Sequence, residues 1–136
     1  MSGVFVPYLS ALQGLVVLGA LFIVQLLVMD VASMRAKHTP GVPVTGDHDD
    51  VLFRVARAHA NTNENLPVFV LVTLTAFAVA ADPWWVNGLV WGFALARALH
   101  MAAYYADLRN LRSGAFVIGL LCTIALVVVD GIACLY

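Results

Sequence analysis

The segment from Gly3 to Met29 contains no charged side chain and is almost entirely apolar. A helix needs about 20 mostly apolar residues to cross a bilayer, and this segment alone exceeds that length. Only 11% of the chain is charged, whereas about 25% of a soluble domain is charged. The net charge of −1 offers no basic field for nucleic acid. The sequence therefore predicts a membrane protein and excludes an ordinary soluble enzyme and a nucleic-acid-binding protein.

Three shorter uncharged runs follow, at Leu66–Ala81, Pro83–Ala96 and Ser113–Val129. Each reaches the length of a membrane span only if it includes polar residues at one end. We therefore predict an all-α integral membrane four-helix bundle that forms one domain over residues 1–136. The predicted helices lie at about 4–33, 50–81, 84–106 and 113–133. Since no Lys or Arg precedes the first run, we interpret it as a retained helix rather than a signal peptide.

Basic residues predict how the helices are oriented. The loop between helices one and two contains Arg35 and Lys37, and the loop between helices three and four contains Arg109 and Arg112. The turn between helices two and three, on the opposite side, contains no Lys or Arg, and its one charged residue is Asp82. Because basic loops remain in the cytoplasm, we expect the 1–2 and 3–4 loops there and both termini on the opposite side. The expected location is a bacterial inner membrane.

Acidic residues mark where two helices begin. Residues 36–50 contain two prolines and two glycines, which predicts an irregular loop. A carboxylate at Asp49 or Asp50 is expected to cap the second helix. The pair Asp82-Pro83 is expected to end the second helix and to begin the third.

Two helices carry polar stripes of the same spacing. In helix two, Arg54, Arg57, Asn61 and Glu64 fall within an arc of about 80°. Helix three repeats this spacing with four polar residues, which are Arg97, His100, Tyr104 and Asp107. A charged side chain in a bilayer costs about 2.5–3.5 kcal/mol on insertion scales, so such residues usually mark a site. Both stripes reach the cytoplasmic end, which predicts one shared cavity there.

The charges of this predicted cavity favour an anionic ligand, because arginines outnumber Glu64 and Asp107. The alternative is a structural network in which Arg57 pairs with Glu64 and Arg97 pairs with Asp107. His59 is interpreted as a packing or interfacial histidine. The histidines and the two cysteines lack the spacing typical of haem or metal ligands, so no metal is expected.

The run RVARAHANTNENLP, at 54–67, resembles the helix-two signature of the MAPEG family, the membrane-associated proteins of eicosanoid and glutathione metabolism. The shared pattern is R-x-x-R-A-[HQ]-x-N-x-x-E followed by a proline. The segment from Arg97 to Tyr104 resembles the family's helix-three element, R-x-x-[HY]-x-x-x-Y. Arg109 and Arg112-Ser113 resemble the basic stretch that opens helix four. One departure is Ala60, where some members have a further arginine.

The resemblance implies a homotrimer of four-helix subunits that binds glutathione, as co-substrate, at the cytoplasmic side between subunits. It implies eight glutathione-binding residues, which are Arg54, Arg57, Asn61, Glu64, Arg97, His100, Tyr104 and Ser113. Arg112 resembles the arginine that activates the thiol, and Arg109 is the alternative for that role.

The function predicted on this basis is a glutathione-dependent transferase or peroxidase. Its second substrate is expected to be a lipophilic electrophile or hydroperoxide that arrives from the membrane lipid. Conjugation, peroxide reduction and isomerisation are all left open. The first alternative is a non-catalytic protein of the same fold that binds a lipid or a small anion. The second is a small carrier or channel with Arg97, His100 and Glu64 as a polar relay, which the apolar outer halves of the helices disfavour.

Overall fold

The computed structural model describes residues 3–135, which form four long helices after a short 3-10 helix. The 3-10 helix spans Gly3–Tyr8, and the long helices are α1 (Leu9–Arg35), α2 (Val51–Ala78), α3 (Pro83–Tyr105) and α4 (Arg109–Leu135). The fold is thus the all-α membrane bundle that the apolar runs predict. Two segments, Phe5–Arg35 and Arg109–Leu135, are long and apolar enough to cross a membrane by length and composition. The polar stripes interrupt the other two helices.

The middle of the bundle is formed by α2 and α3, because α1 and α4 each pack against both of them. The rings of Phe69 and Phe93 stack with their centroids 3.6 Å apart. Buried apolar side chains such as Val90 and Leu126 surround this pair. Gly14 brings α1 close to α3, since a Cβ added there would lie 2.8 Å from Cγ1 of Val90. Small residues at helix interfaces allow this close approach in membranes.

The helix ends define two ends of the molecule. At the basic end, α1 and α3 finish while α2 and α4 begin. At the tryptophan end, which carries Trp84, Trp85 and Trp91, α2 and α4 finish while α1 and α3 begin. The predicted cap of helix two is confirmed at Asp50, which accepts from the backbone N–H of Leu52 at 2.8 Å, and Asp82 likewise accepts from that of Trp84 at 2.9 Å. Each carboxylate thereby satisfies a free N–H group of a helix start.

The turn between α3 and α4 is shorter than predicted. Helix four begins at Arg109 rather than near residue 113, so Arg109 and Arg112 lie in its first turn and not in a loop. The helical hydrogen bonding already begins at this turn, where the N–H of Arg112 donates to the carbonyl of Leu108 at 3.0 Å. The assignment of Asp107 to helix three is wrong, because α3 ends at Tyr105 and Asp107 has a positive φ of 53°. Aspartate tolerates this left-handed conformation better than most residues.

Candidate functional site

A cavity of about 320 Å³ opens at the basic end, between α2, α3 and α4. Small-molecule sites span about 300–1,000 Å³, so this cavity falls at the lower end of that range. We call it the basic-end cavity. Its lining residues are Asn61, His100, Tyr104, Arg112, Ser113, Phe116 and Val117. One residue of the helix-two stripe, Asn61, and two of the helix-three stripe, His100 and Tyr104, thus line one cavity, and the first turns of α4 complete it.

Arg97 lies deep behind this cavity and is only 1% exposed. Its Nη1 donates to Oδ1 of Asn61 at 2.9 Å, while its Nε is buried and has no hydrogen-bond partner in the part of the chain that the structure describes. Its guanidinium carbon lies 5.3 Å and 5.7 Å from the ring centroids of Phe93 and Phe116, within cation–π range. The hydrogen-bond partner is a neutral amide, so the positive charge of Arg97 is retained. The alternative interpretation, a purely structural network, instead predicted that Arg97 pairs with Asp107.

The space for Arg97 comes from a glycine on α4. A Cβ added at Gly119 would lie 2.7 Å from Nη2 of Arg97 and 3.2 Å from its Nε. A Cβ contact of 2.7 Å does not occur in proteins, so a side chain at this position would displace the guanidinium. Gly119 is therefore part of the site, although its contribution is space rather than a chemical group.

His100 is the second buried polar residue of the site, with 2% of its surface exposed. Its ring packs edge-on against Tyr104, with centroids 4.9 Å apart. Its Nδ1 atom is buried and has no hydrogen-bond partner among the described residues. Because His100 lines the cavity, this nitrogen can bond to a group that enters it.

Arg112 lies at the mouth of the basic-end cavity. Its guanidinium carbon lies 4.5 Å from the ring centroid of Tyr104, and its Nη1 lies 3.1 Å from Nδ1 of His48. Arginine can only donate, so His48 accepts in this hydrogen bond. His48 was not among the predicted site residues, because it lies in the irregular loop and belongs to no helical stripe. Arg109, the alternative to Arg112, is exposed.

The polar stripe of α2 divides into two parts. Arg54 and Asn61 are half-buried, and Arg57 and Glu64 are exposed. Arg54 donates through Nη1 to the backbone carbonyl of His48 and, at 3.2 Å, to that of Asp49. One branch of its guanidinium thus holds the loop in place. The exposed pair, Arg57 and Glu64, lies on the outside of this subunit and does not line the basic-end cavity.

A larger cavity of about 1070 Å³ opens at the tryptophan end. It is lined by Val79, Ala80, Asp82, Trp85, Leu89, Ala125, Val128, Val129, Ile132 and Ala133. Asp82 is the one charged residue in this lining, and it already caps α3. Since the predicted site residues lie elsewhere, the smaller basic-end cavity is the candidate site.

His59 takes the role expected of a packing residue, because its ring stacks on Phe22 with centroids 4.8 Å apart.

Comparison with known proteins identifies the family of this chain. The sequence model of the MAPEG family matches residues 12–130, a range that contains every predicted site residue. A comparison with curated proteins gave no significant match.

Proposed function

This chain belongs to the MAPEG family, and we propose on that premise that it is a membrane-bound glutathione-dependent transferase or peroxidase. The family is one of membrane proteins associated with glutathione. The observation that carries the proposal is a pair of arginines, Arg97 and Arg112, whose hydrogen-bond partners Asn61 and His48 are neutral. Their positive charges at the basic-end cavity suit an anionic ligand.

The chemistry of glutathione fits the residues of this cavity. Glutathione carries two carboxylates, an ammonium group, two peptide groups and a thiol. Guanidinium groups form paired, charge-assisted hydrogen bonds with carboxylates and remain protonated when buried. The Nδ1 atom of His100, which has no partner among the described residues, would gain one from a bound peptide. Asn61 and Tyr104 would bond its peptide or carboxylate groups, and Ser113 would contribute a hydroxyl at the cavity rim.

Arg112 is the residue we propose to stabilise the thiolate. A free thiol has a pKa of about 8.5, and only the thiolate is strongly nucleophilic. A guanidinium directed at the sulfur favours the anion, and each unit of pKa depression corresponds to about 1.4 kcal/mol. Arg112 lines the cavity, whereas Arg109 is exposed. The geometry therefore favours Arg112 over Arg109.

The second substrate is proposed to be a lipophilic electrophile or hydroperoxide. Val117 lines the cavity and is also 49% exposed on the outer surface of α4. An apolar molecule in the membrane can thus approach the cavity from the side. The thiolate sulfur would bond to the electrophilic atom while the leaving group departs with its electron pair. With a hydroperoxide it would bond to one peroxide oxygen while the O–O bond breaks and an alcohol leaves, and a second glutathione would convert the sulfenic acid to the disulfide and water. Apolar walls such as Phe116 would select only weakly among substrates.

We propose that the active form is a homotrimer with the site between subunits. Arg57 and Glu64 are exposed on α2, and charged groups are costly in a bilayer unless protein or water covers them. A neighbouring subunit would cover them and would bring them to its own basic-end cavity. Arg57 would then bind a glutathione carboxylate and Glu64 its ammonium group. The basic end is proposed to face the cytoplasm of a bacterial inner membrane.

Calorimetric titration of the purified protein with glutathione tests this proposal. Arg57→Ala and Glu64→Ala should each weaken binding at least about tenfold, since a lost charged hydrogen bond is worth about 1.5–3 kcal/mol. Asn63→Ala, on the exposed surface of the same helix, is the control and should bind as the wild type does. Undiminished binding in both charge variants would contradict the shared site. A protein that binds glutathione but neither conjugates an electrophile nor reduces a hydroperoxide would instead be the non-catalytic binder.

A further inference from the structure

We propose that His48 is a positioning residue, which orients the guanidinium of Arg112 without neutralising its charge. The inference rests on the proposed function, because it concerns the arginine that would stabilise the glutathione thiolate. His48 lies in the loop between α1 and α2, directly before the residues that begin α2. It therefore adds a loop residue to a site whose other groups all lie on helices.

His48 is held in place by contacts to two helices. Its backbone carbonyl accepts a hydrogen bond from Arg54. Its ring packs edge-on against Phe53, with centroids 5.4 Å apart, and lies 6.0 Å from the ring centroid of Tyr104. Helices α2 and α3 thus fix both the main chain and the ring of this residue. A side chain held this firmly can orient a partner at little further cost in conformational entropy.

The contact with Arg112 fixes the plane of its guanidinium. Tyr104 packs against the group at 4.5 Å, and Nδ1 of His48 accepts from Nη1 at 3.1 Å. Arginine has five N–H donors, so one bond to His48 leaves others for a ligand in the cavity. A group oriented before the ligand arrives stabilises developing charge better than a freely moving one.

The nature of the partner matters because the imidazole accepts this bond as a neutral group. A carboxylate in its place would form an ion pair with Arg112 and would draw the positive charge away from the sulfur. Three aspartates lie within two residues of His48 in the sequence, and two of them have side chains that bond elsewhere. Oδ1 of Asp47 accepts from the N–H of Asp49, and Oδ1 of Asp50 caps α2. The loop thus presents its histidine, rather than a neighbouring aspartate, to the arginine.

Four substitutions separate orientation from packing and charge. His48→Phe keeps an aromatic ring and removes the acceptor, and His48→Asn restores a neutral acceptor. His48→Asp has nearly the shape of the asparagine variant but adds a negative charge. His38→Phe is the matched control, because His38 lies in the same loop and bonds only to the carbonyl of Val42 at 2.8 Å. Each variant is assayed for glutathione affinity, for kcat with a soluble electrophile, and for the ultraviolet absorbance of bound thiolate across pH.

The phenylalanine variant should lose up to about 100-fold in kcat, the scale of a misplaced catalytic group, while its glutathione affinity changes little. Its bound thiol should ionise at higher pH than in the wild type. The asparagine variant should recover most of both losses, the aspartate variant should not, and the His38 control should match the wild type. If the phenylalanine variant does not fold, the comparison of asparagine with aspartate still decides.

Equal kcat and equal thiolate titration in the asparagine and aspartate variants would overturn the inference, and so would a wild-type kcat in the phenylalanine variant. In those cases an active wild type leaves the proposed function standing. A wild type that binds no glutathione would overturn both.

Discussion

The two ends of the bundle differ in how their polar side chains are bonded. At the tryptophan end, half-buried groups bond to the protein: Oδ1 of Asn87 accepts from the N–H of Ala11 at 2.8 Å, and its Nδ2 donates to the carbonyl of Pro7 at 3.0 Å. The indole of Trp91 donates to the carbonyl of Ser10 at 3.1 Å. One buried oxygen there, Oδ1 of Asp130, has no partner among the described residues. At the basic end, the groups without a partner among the described residues include nitrogens of a buried arginine and histidine, Arg97 and His100, and His100 lines the cavity.

This difference indicates that the side chains lining a cavity are a better guide to a candidate site than the volume of the cavity. The tryptophan-end cavity has about three times the volume of the basic-end cavity, but its walls are almost entirely apolar. Polar groups that bond to one another hold a membrane protein together, whereas cationic and polar side chains that line a cavity can bind a ligand. Substitutions at the tryptophan end should therefore change stability, and those at the basic end should change binding or catalysis.

The strongest test of the basic end is Arg112→Ala. Loss of a positioned group that stabilises an anion costs about 100- to 1,000-fold in kcat. Glutathione affinity should change much less, because Arg97 and the α2 residues remain. Steady-state kinetics with a soluble electrophile measures both effects. Arg109→Ala, on the same turn of α4, should have a small effect, and a larger loss there would transfer the role to Arg109.

Substitution of two glycines, Gly14 near the tryptophan end and Gly119 beside Arg97, tests the comparison by steric effects. Gly14→Ala places a Cβ 2.8 Å from Cγ1 of Val90, a stiff β-branched side chain, so the helices must move apart. Overpacking of this kind costs about 1–3 kcal/mol, which should appear as a lower Tm. Gly119→Ala instead displaces the end of the Arg97 side chain. Expressed as free energies, its loss of glutathione binding should exceed its loss of folding stability, whereas Gly14→Ala should lose more stability than binding. The opposite result in either variant would contradict the comparison.

Two asparagines test the comparison through charge. Asn61→Asp keeps the acceptor for Arg97 but neutralises the cation, so glutathione should bind about tenfold more weakly, equivalent to about 1.4 kcal/mol. Asn87→Asp removes the donor to the carbonyl of Pro7 and should lower Tm while binding stays unchanged. Calorimetry and thermal unfolding of both variants give the answer. Weaker binding in the Asn87 variant would show that the ends are not independent.

The smallest expected effect is that of Asp82→Ala at the tryptophan end. Loss of an N-cap costs about 1 kcal/mol, so Tm should fall slightly. Glutathione affinity and kcat should match the wild type. A clear loss of activity would mean that the tryptophan-end cavity, which Asp82 lines, takes part in the reaction.

Helical periodicity placed three residues that line the basic-end cavity, Asn61, His100 and Tyr104, on the two polar stripes, but it left open which way each stripe faces. An arc of about 80° is wide enough to straddle the edge of the buried face. Arg54 and Asn61 lie on its inner side and Arg57 and Glu64 on its outer side. Periodicity gives relative angles along one helix, whereas the boundary between inside and outside depends on how the helices pack.

The contributions of His48 and Gly119 could not be predicted in the same way. His48 lies in an irregular loop, where no repeat relates a residue to the helices. Gly119 lies in an apolar run, where a glycine that accommodates Arg97 looks the same in sequence as any other small residue. The early start of α4 was missed because hydropathy assigned the basic segment around Arg109 to a loop, although its backbone is helical.

The three-residue turn from Ala106 to Leu108 has a consequence for the register of the site. The backbone N–H groups of Asp107 and Leu108 bond to the carbonyls of Tyr104 and Ala103 and so fix the turn to α3. The N–H of Arg112 bonds to the carbonyl of Leu108 and fixes the turn to α4. One residue inserted into the adjoining end of α4 would rotate the rest of that helix by about 100° relative to α3. The insertion would turn Gly119 away from Arg97. The length of this hairpin is therefore as strict a requirement of the site as the identity of its arginines.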